Sequence, residues 1–263
     1  MTSTGAEAPV LRQLADGVLT VTLNRPQRRN AMDREAWDLL SEILRTASTD
    51  EDVRCVVLRG ADHTFCAGAD ISGVPEGHPV TRIRHLSRIA EEVHRLPKPT
   101  IASVEGYAMG AGWNLALCCD LVVASETSQF SQVFTARGLS PDFGGSWLLP
   151  HLAGLQQAKR LAFLAERVGA QEAYELGLVT WVVGPDEIEA FVDETARRIA
   201  GMPPIALALT KELLNDGATQ TFAQALENEW RAQTVNYATE DAPRAIAAFT
   251  TRETVTFTGR WKT

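Results

Sequence analysis

The sequence predicts an α/β fold in which strands separated by helices pair largely in parallel. Over the first two thirds of the 263 residues, short apolar runs alternate with stripes of apolar residues at helical spacing, a pattern typical of βαβ units. Beyond residue 155 the pattern is almost entirely helical. Hydrophobic residues make up 45% of the chain and charged residues 22%, which is ordinary for a globular protein that buries its own core.

The individual elements follow from these patterns in chain order. Strands are predicted at the apolar, β-rich runs 18–23, 53–58, 100–104, 121–124 and 179–183. Helices are predicted where apolar residues recur every three or four positions, over 37–47, 83–93, 114–119 and 188–199. Either Asn30 or Asp33 can cap the first helix, and Pro97 and Pro99 end the second. A polar, glycine-containing loop is predicted over 60–79.

The C-terminal part of the chain is predicted to be a helical appendage. Met202-Pro203-Pro204 marks a break, and the helical pattern that follows over 205–249 carries Phe222, Leu226 and Trp230 at intervals of four. This segment is too short for a convincing core of its own, so we expect it to pack on the main domain or on another subunit. The sequence therefore divides into a core over residues 1–200 and a helical oligomerisation region over 201–263.

Charge, cysteine content and leader signals exclude several classes of protein. A net charge of −8 and a pI near 5.2 argue against nucleic-acid binding, although a local basic patch can still bind a phosphorylated ligand. The four cysteines lie in apolar segments without a CxxC pair, which predicts reduced core residues and a cytoplasmic protein. No basic residue precedes Arg12, so residues 1–11 fit neither a secretory nor a transit peptide. The longest uncharged run, 14 residues between Glu105 and Asp120, is shorter than the roughly 20 that cross a membrane.

Motif searches argue against esterase, nucleotide and metal chemistry. The stretch Gly144-Gly145-Ser146-Trp147-Leu148 lacks the final glycine of GxSxG. Gly110-Ala111-Gly112 begins a GxGxxG whose third glycine is replaced by Leu115, and no GxxxxGK[ST] occurs. The five histidines show no metal-ligand spacing. The sequence therefore predicts no metal site.

Two loops share a design that suits an anionic ligand. In Phe65–Ile71 and in Gly106–Asn114, a β-rich run ends in glycine and alanine shortly before a predicted helix. Small residues allow close approach to the backbone, and the free N–H groups of a helix start can receive negative charge. The two loops could therefore converge on one oxyanion. The alternative is that they are tight turns required by close helix packing.

Several ordered motifs carry a resemblance to a known family. They are Asn24-Arg25-Pro26 with Asn30-Ala31, the run from Phe65 to Asp70, the run from Pro97 to Gly106, Gly110-Ala111-Gly112 through Asp120, Gly138-Leu139, Gly144-Gly145, and Gly177-Leu178-Val179. Together they resemble the crotonase family, also called the enoyl-CoA hydratase/isomerase superfamily, over nearly the whole chain. The resemblance implies the crotonase, or ClpP-like, spiral of ββα units with a C-terminal helical trimerisation region, whose trimers often pair into hexamers. It also implies an acyl-CoA thioester as ligand, with no cofactor beyond the coenzyme A that belongs to the substrate.

The resemblance also assigns site residues. The backbone N–H groups of Ala69 and Ala111 are implied to hold the thioester oxygen, and each donor aimed at an enolate oxygen contributes about 10²–10³ in rate. Arg28 and Arg29 occupy the stretch that commonly lies along the CoA pantetheine and phosphates, although solvated surface arginines are the alternative. The other residues implied at the substrate are Ala31, Ala67, Asp70, Ile71, Gly110, Gly112, Asn114, Phe134, Pro141 and Phe143. Four aromatic side chains would line the acyl pocket or belong to the core, namely Trp113, Phe134, Phe143 and Trp147.

The sequence departs from a hydratase at the positions that matter most. A hydratase uses two carboxylates across the bound enoyl group, but the motif register places Asn114 and Phe134 there. A different carboxylate, Asp142, lies in Gly138-Leu-Ser-Pro-Asp-Phe-Gly-Gly145. That stretch resembles the branch of dienoyl-CoA isomerases and the ring-epoxide isomerase of phenylacetate degradation, in which an aspartate acts on the substrate. The alternative is that Asp142 caps a helix starting near Gly144.

Three hypotheses follow. The first is an acyl-CoA isomerase in which Asp142 moves a proton between two carbons, with a pKa raised by apolar surroundings that include Phe134. The second is an enoyl-CoA hydratase of fatty-acid or aromatic-acid degradation that activates water by another arrangement. The third is a catalytically silent acyl-CoA binding protein, because both family glutamates are replaced. His151 stands where relatives with this pattern often have arginine, and the sequence assigns no effect to that change.

Overall fold

Two β-sheets organise the computed structural model, which describes residues 8–72 and 77–262. Within these residues the strands are β1 (Val10–Ala15), β2 (Val18–Leu23), β3 (Cys55–Gly60), β4 (Thr100–Val104), β5 (Tyr107–Met109), β6 (Leu121–Ser125), β7 (Gln129–Ser131), β8 (Val168–Gly169) and β9 (Trp181–Val183). The helices are α1 (Arg34–Thr49), α2 (Pro79–His94), α3 (Ala111–Leu117), α4 (Gly145–Ala153), α5 (Leu155–Leu164), α6 (Ala170–Glu175), α7 (Ile188–Ala200), α8 (Pro204–Gly217), α9 (Phe222–Ala238) and α10 (Asp241–Thr251). Short 3-10 helices cover Pro26–Arg28 and Thr135–Arg137.

The larger sheet confirms the predicted parallel pairing. Its six strands run in the order β1-β2-β3-β4-β6-β9, and only the pairing of β1 with β2 is antiparallel. The register places Val57 between Thr20 and Ile101. Successive strands are therefore joined by helices that cross from one end of the sheet to the other, as parallel strands require.

The core lies on both faces of this sheet. Val56 and Leu58 of β3 point into the main cluster, which includes residues of α1, α2 and α3. Cys55 and Val57 point to the other face, where they pack with Val192 of α7. This alternation is the period of two expected of a strand buried on both faces. All four cysteines are free and buried, as predicted.

A smaller sheet places the second of the two loops. β5 pairs in parallel with β7, and β7 pairs antiparallel with β8. β5 ends at Met109, and α3 begins only two residues later at Ala111. The loop therefore passes from strand to helix through Gly110 alone, whose φ of 53° lies in the region that favours glycine.

Several predicted boundaries were wrong by a few residues. α3 begins at Ala111 rather than 114, β3 covers 55–60 rather than 53–58, and β9 covers 181–183 rather than 179–183. β1 was not predicted because it is an edge strand whose last four side chains are exposed, so no apolar run marks it. β5, β7 and β8 have two or three residues each, too few to show a period.

The structure shows which of the two candidate residues, Asn30 or Asp33, caps the N-terminus of α1. The Asp33 carboxylate accepts a hydrogen bond from the Ala36 N–H at 3.0 Å, so Asp33 is the N-cap. Asn30 is fully buried and binds the loop after β3 instead, donating from its amide to the carbonyl of Ala61 at 2.8 Å. Within the predicted loop over 60–79, residues 73–76 lie outside the described part of the chain, as does the N-terminal segment 1–7.

The C-terminal helices leave a row of large apolar side chains uncovered in the single chain. Phe222 is 80% exposed and Trp230 is 58% exposed, and Leu226 lies between them on α9. Other residues of this segment do contact the core, since Lys211 of α8 lies 2.9 Å from the Asp120 carboxylate. Contact of the exposed row on α9 with another subunit stays a prediction, as does the division at residue 200. No helix within residues 8–72 and 77–262 has the length and apolar composition needed to cross a bilayer.

Candidate active site

The structure brings the two small-residue loops into direct contact. Cys66 forms a parallel bridge with Ala108 of β5. The Cys66 N–H donates to the Tyr107 carbonyl at 2.8 Å, and the Met109 N–H donates to the Cys66 carbonyl at 2.9 Å. The loop that follows β3 therefore lies along β5, and both loops end at the same place.

Two backbone N–H groups are left free where the loops meet. Ala69 bridges Met32 in parallel, through bonds from the Met32 N–H to the Gly68 carbonyl and from the Asp70 N–H to the Met32 carbonyl, each 2.9 Å long. The N–H of Ala69 itself therefore points away from Met32. Ala111 is the first residue of α3, so its N–H has no partner within the helix. Among residues 8–72 and 77–262, neither N–H donates to another group of the chain.

Two glycines make this close approach sterically allowed. A Cβ atom on Gly68, whose φ is 97°, would lie 2.7 Å from the Met109 carbonyl oxygen and 3.8 Å from the nitrogen of Ala111. A Cβ atom on Gly112 would lie 2.5 Å from the Cys66 carbonyl oxygen. Any larger residue at either position would separate the loops. Close packing and free N–H groups are therefore both present, so the two interpretations of these loops do not exclude each other.

Ion pairs of Arg25 hold the first loop in place. The Arg25 guanidinium lies 3.0 Å from the Asp70 carboxylate and 2.8 Å from that of Asp33, and it also donates to the carbonyl of Ala31. Hydrogen bonds from the Ser72 hydroxyl and N–H, with a smaller contribution from Arg25, lower the pKa of Asp70 to about 2. Asp70 is therefore ionised at neutral pH and held by the chain. Its contacts fit a role in shaping the loop.

The Asp142 carboxyl has a buried oxygen, Oδ1, that the described residues leave without a hydrogen-bond partner. Burial raises the pKa of Asp142 to about 6. The cap interpretation was wrong: Gly144 is the N-cap of α4, and no side chain makes the capping hydrogen bond there. A half-buried carboxylate with a pKa near neutrality is suited to accept and return a proton.

Asn114 lies beside Asp142 with both ends of its amide engaged. It is fully buried. Its Nδ2 donates to the backbone carbonyl of Asp142 at 2.8 Å, and its Oδ1 accepts from Nε2 of Gln132 at 2.8 Å. Gln132 was not among the predicted site residues. The signal in the sequence was a polar side chain within the apolar stretch from Phe130 to Phe134.

The four aromatic residues predicted for the acyl pocket lie in different surroundings. Phe134 is buried with its ring edge 3.5 Å from where a Cβ of Gly110 would lie, so it forms an apolar wall beside the second loop. Phe143 packs its ring against Trp37 with centroids 4.9 Å apart, and Trp113 packs against Phe130 at 5.2 Å. Both are fully buried core residues. Trp147 is partly exposed on α4 and stacks on His151.

The remaining predicted residues lie around the same loops. Ala31 and Ala67 are half-buried, as is Pro141 before Asp142, and Ile71 is 66% exposed at the end of the first loop. Arg28 and Arg29 are exposed, and the Arg29 guanidinium lies 5.7 Å from the ring centroid of Tyr107. A cavity of about 370 Å³ between α1 and α2 shares no lining residue with this site. No set of three His, Cys, Asp or Glu side chains in the described ranges is grouped to hold a metal ion.

Comparison with known proteins shows what the chain resembles. Residues 13–260 match the family model described as enoyl-CoA hydratase/isomerase. The 1,2-epoxyphenylacetyl-CoA isomerase of Escherichia coli K12 is 34% identical over 258 residues, covering 95% of this chain and 98% of that protein. The short-chain-enoyl-CoA hydratase of Clostridium acetobutylicum is 35% identical over 237 residues, covering 88% and 90%.

Solved structures give the same picture. The crystal structure of enoyl-CoA hydratase from Bacillus anthracis superposes with a TM-score of 0.92 at 32% identity, covering 96% of this chain and all of that one. A protein of Thermobifida fusca YX, whose crystal structure contains CoA, superposes with a TM-score of 0.81 at 33% identity, covering 88% and 93%. The spiral fold expected from the motifs is thereby confirmed.

Proposed function

Because the chain belongs to the enoyl-CoA hydratase/isomerase family, we propose that it is an acyl-CoA isomerase in which Asp142 transfers the proton. The proposal follows from two parts of the site. Among the described residues, one is the pair of free N–H groups on Ala69 and Ala111, and the other is the Asp142 carboxyl, whose buried Oδ1 has no partner there.

The two N–H groups would stabilise the charge that develops during the reaction. Removing a proton from a carbon conjugated with a thioester carbonyl places negative charge on the carbonyl oxygen. Preorganised backbone donors aimed at that oxygen contribute about 10²–10³ in rate each. The positions of Ala69 and Ala111 at the meeting point of the loops support this role. The exposed Arg28 and Arg29, together with the CoA bound to the Thermobifida fusca protein, support a CoA thioester as the substrate.

The observation that carries the choice of isomerase is the environment of Asp142. One carboxylate can remove a proton from one carbon and return it to another while the oxyanion is held, which is a 1,3-proton shift. The shift changes neither mass nor oxidation state, so it requires no cofactor besides the CoA of the substrate. A pKa of about 6 suits a group that must both accept and release a proton near neutral pH.

Hydratase activity is the second candidate, favoured by the hydratases among the relatives. Against it, the position of one family glutamate holds Asn114, whose amide is engaged at both ends. The position of the other holds the hydrocarbon ring of Phe134. A hydratase built on this chain would have to activate water by an arrangement other than the two family glutamates.

The test is the variant Asp142→Asn, assayed with a panel of CoA thioesters that includes 3-enoyl and ring-epoxide esters and crotonyl-CoA. Mass spectrometry separates an isomerised product of unchanged mass from a product that has gained water. We expect isomerisation by the wild type and a loss of at least about 100-fold in the variant, as for removal of a general acid–base. Asp193→Asn, an exposed carboxylate on α7, is the matched control and should retain full activity.

Each other outcome has a distinct meaning. Isomerisation retained within about tenfold in Asp142→Asn would reject the proton-transfer role. Addition of water to crotonyl-CoA by both proteins, without isomerisation of any ester, would favour a hydratase. Tight binding of several acyl-CoAs with no turnover would favour a silent binding protein.

A further inference from the structure

The turn that carries Asp142 has a strained backbone. The Gly145 N–H donates to the Asp142 carbonyl at 3.0 Å, and the two central residues, Phe143 and Gly144, have φ values of 49° and 80°. Positive φ at both positions is the geometry of a type I′ turn. For glycine this costs nothing, but for phenylalanine it costs on the order of 1–3 kcal/mol. Such a conformation persists only where the surroundings fix it.

Asn114 is one of the groups that fix it. Its Nδ2 donates to the same Asp142 carbonyl that accepts the turn hydrogen bond from Gly145. A Cβ atom on Gly145 would lie 2.4 Å from that Nδ2, so glycine at this position is what lets the amide reach the carbonyl. On the other side of the turn, the Phe143 ring is held against Trp37. The backbone of Asp142 is therefore held from α3 and from the core together.

The Asp142 carbonyl determines which way both amides point. The Asp142 carbonyl can only accept, so Asn114 must present its NH₂ group there and its oxygen to Gln132. Gln132 must then present its own NH₂ group to that oxygen, at 2.8 Å. If Asn114 turned over, two oxygens would face each other at Asp142 and two NH₂ groups would face each other at Gln132. The hydrogen bonds from Gln132 to Asn114 and from Asn114 to Asp142 are therefore both made in only one orientation of the two amides.

This arrangement has a cost that packing does not explain. Oε1 of the fully buried Gln132 has no hydrogen-bond partner within the described residues. An unsatisfied buried acceptor destabilises a protein by about 1–3 kcal/mol. An apolar side chain of the same size would remove this unpaired acceptor but leave Asn114 Oδ1 unpaired instead, so stability alone gives the amide no advantage. Violations of this kind concentrate at functional sites.

We propose that Gln132 and Asn114 are positioning residues for Asp142, holding its backbone so that the carboxylate stays aligned with the substrate carbons. The inference rests on the proposed function, in which Asp142 transfers the proton. Both ends of the Asn114 amide are engaged by the chain, so in this role the two amides act on the backbone of Asp142 and exchange no proton with the substrate. Asn114 stands at the position of a catalytic glutamate in the family. In this chain it would orient Asp142, the carboxylate that acts in place of that glutamate.

The test is Gln132→Met, which keeps the side-chain volume and removes the amide. The substitution eliminates the unpaired Oε1 and leaves Asn114 Oδ1 unpaired instead, so we expect a melting temperature close to that of the wild type. We expect kcat for isomerisation to fall about 10- to 100-fold, the effect of misplacing a catalytic group by around 1 Å. KM should stay within about threefold, because the interaction acts in the transition state.

Gln129→Met is the matched control. Gln129 lies three residues earlier, at the start of β7, and its Oε1 is also buried without a partner in the described ranges. Its side chain makes no contact with Asn114 among the hydrogen bonds of residues 8–72 and 77–262. This variant should keep the wild-type kcat. If Gln132→Met does not fold, Gln132→Glu serves as the second variant, since its carboxylate cannot donate to Asn114.

A double variant separates this inference from the proposed function. If Gln132 acts through Asp142, adding Gln132→Met to Asp142→Asn should lower kcat by less than about twofold further. An equal loss in both backgrounds would overturn the positioning role, and so would a wild-type kcat in the single variant while Asp142→Asn is inactive. An active Asp142→Asn would reject the proposed function itself, and the inference with it, through a variant that leaves Gln132 untouched.

Discussion

Burial of the Asp142 carboxyl has opposite effects on activity and on stability. Its pKa rises from 3.8 to about 6 in the folded protein. Because the folded state keeps a proton that the unfolded state releases, the resulting stabilisation is complete below about pH 4 and is lost as the pH rises through about 6. A base must be ionised, so we expect isomerisation to increase over the same interval. The protein therefore gains activity where it loses stability.

The Asp142→Asn variant should reveal directly how much stability the protein loses when the buried Asp142 carboxyl ionises. The variant removes the carboxyl, so its free energy of unfolding should exceed that of the wild type near pH 7 by about 3 kcal/mol, since the pKa rises from 3.8 to about 6 and each pKa unit corresponds to about 1.4 kcal/mol. Near pH 4 the difference should vanish. Urea denaturation at the two pH values measures both quantities, with Asp193→Asn as the control for loss of an exposed carboxylate. A difference that does not change with pH would contradict the raised pKa.

At the residue scale, the sequence predicted which residue would carry the proton better than it predicted which side chains would bond to that residue. Asp142 could be selected because it follows Ser140-Pro141 and precedes Phe143-Gly144-Gly145, and a raised pKa was expected from apolar neighbours. The hydrogen bond from Asn114 to Asp142 joins residues 28 apart, and no local pattern encodes such a pairing. Gln132, which directly follows β7, was missed for the same reason, since its role depends on Asn114 of α3.

At the element scale, the start of α3 allows one N–H group to be removed with little effect on the fold. Ala111 is the first residue of that helix, a position where proline is favoured because the N–H is unsatisfied in any case. Ala111→Pro should therefore fold normally yet lack one of the two donors. We expect kcat/KM to fall about 10²–10³-fold with the melting temperature little changed.

The matched control for Ala111→Pro is Leu155→Pro. Leu155 is the first residue of α5, is exposed, and follows Gly154, whose φ of 76° is positive like that of Gly110. It makes the same backbone change away from the two loops and should leave kcat/KM unaltered. Full activity of Ala111→Pro would show that its N–H does not bind the thioester oxygen.

The strands differ in how well the sequence predicted them. β2, β4 and β6 are strands of the larger sheet with buried residues along their length, so their clusters of apolar and β-branched residues are visible in the sequence. β5 and β7 pair with each other and lie beside the first loop, and they owe their extended form to those neighbours. Their existence is a consequence of the tertiary fold, which explains why the sequence showed the loop glycines but not the strands around them.

At the scale of the whole molecule, several large apolar side chains are exposed in the single chain. Phe249 of α10 is 88% exposed, and Phe163 and Leu164 at the end of α5 are exposed as well. The row on α9 is exposed in the same way, and large exposed apolar side chains mark an interface where they are contiguous. The trimer or pair of trimers expected from the motifs would cover such surfaces, and it remains a prediction.

The double variant Phe222→Glu/Trp230→Glu tests this assembly. Both residues lie on one face of α9, eight residues apart, and burying two new carboxylates in an interface is strongly unfavourable. We therefore expect light scattering coupled to size-exclusion chromatography to give a trimer or hexamer for the wild type and a monomer for the variant. Ala190→Glu, which adds a charge at an exposed position of α7, should assemble like the wild type. A monomeric wild type would contradict the expected assembly, and an assembled double variant would place the interface elsewhere on the molecule.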